Sequence, residues 1–213
     1  MIIIEKRNTK HEILMAALSL FAIYGFDGVS VKEIAKKVGI KDSSIYKHYT
    51  SKQEIFDAIL TEVSERMQTA YREISMPEQH NLVQEYEVIS QDALKELCVK
   101  LFSFYLTDDV LLKFRRMLTI EQYRNEQASA LFRRFFINDV LEFQTDLFSK
   151  LISRGVFIEC DPAVMALHFY SPLFLMLYKY DLRDVSSQEV AKHIEDHISA
   201  FSANYLKSRL AEP

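Results

Sequence analysis

Tryptophan is absent, and 213 residues include only 4 Gly, 4 Pro and 2 Cys. So few chain breakers exclude a sandwich or barrel, whose many reversals call for Gly and Pro. Cys98 and Cys160 stand alone, without metal-ligand spacing, and fit a reduced, cytoplasmic protein. Long apolar runs are also missing. The opening MIIIEK is too short for a signal-peptide core, and no run approaches the ~18 residues of a membrane span. The most apolar stretch, SPLFLMLY at 171–178, is bracketed by His168 and Lys179 and reads as a buried helix. Catalytic signatures are lacking too: there is no Gly-rich phosphate loop, no G-x-S-x-G and no paired Cys–His. Carboxylates are plentiful, but nothing in the sequence converges two of them for acid–base work. The expectation is an all-α protein that is not an enzyme and uses no cofactor, metal or membrane.

What the chain does have is aromatic and aliphatic bulk. It carries 15 Phe and 11 Tyr in a 49% hydrophobic sequence, which suits long helices packed around rings. Its charge is segregated. Residues 1–52 hold nine Lys/Arg against five Asp/Glu, a net +4, and the remainder carries −8, giving −4 overall. A basic head on an acidic body fits phosphate contact by one end, because only the contacting face must attract DNA.

Capping signals divide the chain. Thr9-Lys10-His11-Glu12 has the S/T-x-x-E form in which Thr9 accepts from the Glu12 amide, ahead of Ile13, Leu14, Ala17, Leu18 and Phe21 at helical spacing. Gly25 ends that run. Ser30-Val31-Lys32-Glu33 opens a short helix with Ile34, Ala35 and Val38 inward, and Gly39 stops it. Asp42 then caps Ser43-Ser44-Ile45-Tyr46-Lys47-His48-Tyr49. Ser51-Lys52-Gln53-Glu54 begins a helix that Ile55, Phe56, Ile59, Leu60, Val63 and Met67 carry to about residue 73. Beyond Met76-Pro77, residues 78–89 are ambiguous between loop and helix. Ser90 can cap a helix through Tyr105, and Thr107-Asp108 one reaching about Ile120. A single helix is expected from about Glu126 to Arg154, before Gly155. Asp161-Pro162 pairs an N-cap with Pro at the first helical position, and that helix reaches about Tyr180. Ser186-Ser187-Gln188-Glu189 begins the last helix, ending near Leu210.

Two short helices around Gly39 form a helix-turn-helix, the unit whose second helix enters the major groove. The outer face of that second helix presents Ser43, Ser44, Lys47 and His48, side chains suited to phosphates and base edges. Tyr49, one turn after Ile45, reads as core. Tyr46, on another side, reads as a phosphate contact. His48 stands between DNA contact and ordinary surface, and Lys36-Lys37 reads as a solvated face.

The run from Phe26 to Ile59 closely resembles the DNA-binding segment of tetracycline-repressor (TetR) regulators. The resemblance is carried by Gly25-Phe26, Ser30, Ile34-Ala35, Val38-Gly39, Ile45-Tyr46, His48-Tyr49, Ser51-Lys52 and Glu54. It implies that Tyr46 and Lys52 bind phosphates, that Ser44 anchors the helix, and that Lys41, Ser43, Lys47 and His48 touch bases or backbone. Asp42 stands where many members have Lys, and Ser43 where many have Gly, so operator preference does not transfer.

The resemblance further implies a helix-turn-helix domain at 1–52 and a helical effector-binding and dimerisation domain at 53–213. It implies a ligand-responsive repressor; two-fold symmetry then calls for a quasi-palindromic double-stranded DNA operator, and the aromatic-rich segment between Leu94 and Met176 points to a small apolar or aromatic effector. The last two helices would form the homodimer interface. Val164, Leu167, Leu175 and Leu177 in one, and an Ile194, Ile198, Phe201 and Tyr205 seam in the other, have suitable periodicity. Candidate pocket residues are Phe102, Tyr105, Phe114, Met117, Tyr123, Phe136, Phe143 and His168, although the same aromatics could simply fill a core. For His168 a satisfied core histidine is the preferred reading over a ligand contact. His193 and His197, one turn apart, could share a metal but lack a third ligand, and a structural or interface role is preferred. The rival to regulation is a helical enzyme or protein-interaction module with a merely structural helix-turn-helix, against which the basic head and hydroxyl-rich second helix count.

Overall fold

A computed structural model describes residues 8–73, 98–99, 102–103, 105–181 and 187–207. The ambiguous stretch at 78–89 and the expected cap at Ser90 lie outside the described residues. Numbered over those residues, the helices are α1 (Thr9–Tyr24), α2 (Val31–Val38), α3 (Asp42–Ile45), α4 (Lys52–Glu73), α5 (Asp109–Glu121), α6 (Glu126–Arg133), α7 (Asp139–Ser153), α8 (Pro162–Lys179) and α9 (Ser187–Tyr205). Packing divides the chain into two compact units, one of 1–69 with 109–132 and the other of 70–108 with 133–213.

In the first unit, α1 turns Ile13, Leu14, Ala17, Leu18 and Phe21 fully inward, as its spacing predicts. Its cap differs from the expected one. Asn8, not Thr9, accepts the His11 amide (3.2 Å), and the Glu12 amide bonds the Asn8 carbonyl. Asn at this position caps the helix one residue earlier and so takes the His11 amide in place of the Glu12 amide. Gly25 ends α1 with φ +70 and ψ 172, a backbone conformation open essentially to glycine alone. Phe21, Phe26 and Phe56 then meet with ring centroids 5.1–5.9 Å apart, joining α1 and α4 through the turn between α1 and α2. Phe21 and Phe56, both fully buried, each stabilise by roughly 1.5–3 kcal/mol, and half-buried Phe26 by less. Helix α5 packs along α1 and buries Leu111, Phe114, Met117 and Leu118.

The second unit is built on α7, α8 and α9. Asp161 caps α8 by accepting from Ala163 (2.8 Å) and Val164 (3.4 Å), with Pro162 at the first position. Rings of Phe148, Phe157, Phe169 and Phe201 cluster at 5.0–6.1 Å and knit the three helices together. A short antiparallel bridge of Phe157 with Leu206 ties the turn after α7 to the end of α9.

Two expectations change here. The single helix from Glu126 to Arg154 is interrupted by a π turn at Arg134–Asn138, which sequence periodicity does not reveal. The last helix ends at Tyr205, not near Leu210, because the chain leaves it for that bridge.

Candidate nucleic-acid interface

Helix α2 is fixed at both ends by its own sequence. Ser30 accepts the Glu33 amide (3.3 Å) while the Glu33 carboxylate takes the Ser30 amide (2.7 Å). The Ser30 amide first, and then the Ser30 hydroxyl, which also donates to that carboxylate (2.7 Å), hold the Glu33 carboxyl below the usual carboxylate range. Gly39 takes the left-handed conformation (φ +77), and its amide bonds the carbonyls of Ala35 and Lys36. A Cβ there would meet nothing within 4 Å, so the backbone angle alone asks for glycine.

The chain re-enters helix at Asp42. Lys41 holds the cap position with extended backbone, and no side chain caps α3. Asp42 is therefore a first-turn acid facing the helix dipole, not the expected cap. Regular α-helix lasts only through Ile45, but His48 and Tyr49 still bond the Ile45 carbonyl (2.9 and 3.0 Å), so the winding carries on to Tyr49.

This winding sorts the side chains. Ile34, Ala35 and Ile45 are fully buried between the two helices. Tyr49 is buried, with its hydroxyl donating to the Lys10 carbonyl at 3.3 Å, and burial, then Glu62 and Glu54, push its phenol up to about 12. On the other side Lys41, Ser43 and Lys47 are exposed, Tyr46 is 56% exposed, and Ser44 and His48 are half-buried. An exposed phenol beside two ammonium groups and a hydroxyl is an anion-facing surface.

Lys52 behaves differently. Its ammonium donates to the carbonyls of Phe26 (2.7 Å) and Val29 (2.8 Å) and lies 4.1 Å from the centre of the Phe26 ring. Two of its three donors thus serve the protein's own backbone rather than a phosphate. The Ser51 hydroxyl accepts the Glu54 amide (3.1 Å), as the expected box requires. The Glu54 carboxylate, however, returns to the Thr50 amide and hydroxyl. Sequence reasoning passed over Thr50, Asn8 and Glu121. The first two sit beside readable caps. Glu121 bonds the Phe26 amide from 95 positions away, and no local signal announces that.

The aromatic set separates by unit. Phe114 and Met117 are fully buried in the first, where Tyr123 stands 88% exposed after α5. In the second, Phe102 and Phe136 are buried, Tyr105 and Phe143 half-buried, and His168 exposed. Of the eight, His168 lines a cleft of about 390 Å³, shared with His197, Ala200, Phe201, Asn204 and Tyr205. His168 pairs with the Tyr205 hydroxyl, His193 with the Tyr180 hydroxyl, and His197 with the Phe169 carbonyl (2.8 Å).

The seam expected at a dimer interface also splits. Ile194, Ile198 and Phe201 are buried within one chain, as is Leu177, so they hold α9 to its own unit. Val164, Leu167, Leu175 and Tyr178 instead project outward along one face of α8. Among the described residues, no helix is long and apolar enough to cross a membrane.

Residues 13–59 match the family of bacterial regulatory proteins described as tetR. Over 47 residues the chain is 43% identical to IcaR of Staphylococcus epidermidis, a negative transcriptional regulator of a biofilm operon. That stretch is 22% of this chain and spans only 25% of the relative's length. The fold match is longer. A solved structure from Mesorhizobium loti, assigned to the TetR-family transcriptional regulators, covers 95% of this chain and all of its own, at TM-score 0.63 and 25% identity. SmeT, the repressor of a Stenotrophomonas maltophilia multidrug efflux pump, solved with triclosan, covers 97% of this chain and 96% of its own, at TM-score 0.60 and 18% identity. Sequence in the head and fold along nearly the whole length agree: residues 13–59 are a tetR-type DNA-binding segment, and the chain has the fold of solved TetR-family regulators.

Proposed function

We propose that this protein is a DNA-binding transcriptional repressor that works as a homodimer and leaves its operator when a small apolar or aromatic effector binds. The observation that carries the reading is the sorting along α3. Ile45 and Tyr49 are buried, while Lys41, Ser43, Tyr46 and Lys47 face outward on a helix-turn-helix whose ends are capped. Ser44 and His48 complete the contacting surface, and Lys52 supports it from behind. The sequence-level division into a DNA-binding segment at 1–52 and an effector and dimerisation segment at 53–213 belongs to the same proposal. The outward face of α8 (Val164, Leu167, Leu175 and Tyr178) supplies the dimer contact, and two-fold symmetry then calls for a quasi-palindromic site. Phe102, Tyr105, Phe136, Phe143 and His168 are the effector-facing residues in the second unit. The triclosan complex of SmeT supports an aromatic effector for a protein of this fold. The effector acts through its higher affinity for the form that releases DNA, and by no other route.

The test is selection from a random DNA duplex pool, followed by fluorescence anisotropy on the enriched sequence. Enrichment of a two-fold symmetric site, with affinity falling steeply as salt rises, is the expected result. If the unmodified protein enriches no sequence and binds no duplex at low salt, the function is wrong.

A further inference from the structure

Phe26 lies in the turn between α1 and α2, and charged side chains from two other helices hold both edges of its residue. Its amide donates to Oε1 of Glu121, the last residue of α5, at 2.7 Å. Its carbonyl accepts from the Lys52 ammonium, at the start of α4, also at 2.7 Å. Glu121 is only 4% exposed. A polar group so placed is costly unless it is bonded, and the Phe26 amide supplies that bond. The neighbouring backbone leaves room for it: a Cβ on Gly25 would lie 2.9 Å from the same Oε1.

The chain runs from this gripped turn straight into Ser30 and the capped helix α2. Helices α2 and α3 share the buried side chains of Ile34, Ala35 and Ile45, so they form one packed pair that leaves α1 through this turn. We propose that Glu121 is a positioning residue for DNA reading, fixing through the Phe26 residue and Lys52 the angle at which α2 and α3 leave α1. The inference rests on the DNA-binding reading above and adds its means of control. Helix α5 continues by way of α6 into the chain of the second unit, so a shift of α5 reaches the DNA-reading helices through this contact.

Reach, not charge, is the property the relay needs, and three variants separate the two. Glu121→Gln keeps the reach and an acceptor, Glu121→Asp keeps the charge but withdraws it by one methylene, and Glu121→Leu removes the acceptor. Each is measured for affinity to the duplex enriched by the unmodified protein and, without DNA, for hydrogen exchange at the Phe26 amide. Asp and Leu variants should bind about tenfold more weakly, with unchanged salt dependence, and exchange Phe26 at least about tenfold faster. Glu121→Gln should stay within about threefold of the parent in both. Should the Leu variant fail to fold, the Asp and Gln pair decides. Parental affinity in the Asp variant despite accelerated exchange, or Gln falling with Asp, overturns the proposal. If the unmodified protein binds no DNA, the functional reading fails by itself. Phe26 exchange then judges the grip, and parental exchange in the Asp variant overturns it.

Discussion

Replacing Lys52 by Met separates a backbone-holding role from a phosphate-binding one. Methionine keeps the unbranched stem and loses the ammonium, and with it the bonds to the Phe26 and Val29 carbonyls and the cation over the Phe26 ring. A hydrogen bond from a charged donor contributes about 1.5–3 kcal/mol, and a cation over an aromatic ring about 0.5–1 kcal/mol at a partly exposed site. Lys52 is half-buried, so water recovers part of both carbonyls, and a net loss of about 2 kcal/mol is expected in urea denaturation. The variant should remain folded, since domains hold about 5–15 kcal/mol in reserve. DNA affinity should fall because the turn leading to α2 loosens, yet the slope of log affinity against log salt should match the parent. Lys47→Ala should show the opposite pattern. Its side chain is exposed, so stability stays within about 0.5 kcal/mol while the slope falls by about 0.9 for one lost phosphate. A Lys52→Met protein of parental stability whose slope drops by about 0.9 would mean that a phosphate is the ammonium's main partner, and the argument from its backbone bonds would be refuted.

Tyr46→Phe should weaken binding to all duplexes several-fold by anisotropy without moving the melting temperature, because its phenol is 56% exposed and serves no core. Leu167→Glu with Leu175→Glu should give a folded monomer in sedimentation at micromolar concentration, whereas Ile198→Glu should unfold the second unit, its side chain being fully buried. A folded, dimeric double variant would move the interface off α8. Glu33 and Glu54 have carboxyls held below the usual range by Ser30 and Thr50, so their stabilisation is present above about pH 4.3 and lost as pH falls through the depressed folded values. Glu33→Gln with Glu54→Gln should flatten the acid side of the stability profile, and an unchanged profile would deny those bonds any role.

The head was legible because its signals are local. A serine three residues before a glutamate, a glycine four residues after an inward-facing alanine, and isoleucines at helical spacing each specify a hydrogen bond or buried face within one or two turns. The cap of α1 slipped by one residue because Asn8 and Thr9 can both accept an amide and nothing local ranks them. The Ile194 seam was correctly read as apolar and wrongly assigned to a partner copy. Periodicity states that a face is covered, not which chain covers it. Lys52 and Glu121 converge on Phe26 from 26 and 95 positions away, and a contact of that range leaves no trace in spacing. For the same reason the aromatic residues between 102 and 168 could not be sorted into core and cavity before the fold was known.

The grouping of residues 109–132 with the first 69 has a consequence for recombination between relatives. Grafting a new operator specificity onto this body invites a cut after the helix-turn-helix, where the motif ends. Such a chimera would meet a foreign α5 along α1, and its Phe26 amide would face whatever stands in place of Glu121. A graft that carries 109–132 together with the head preserves both. The head of this chain is thus one packed unit written on two separated stretches of sequence, and a graft has to move both.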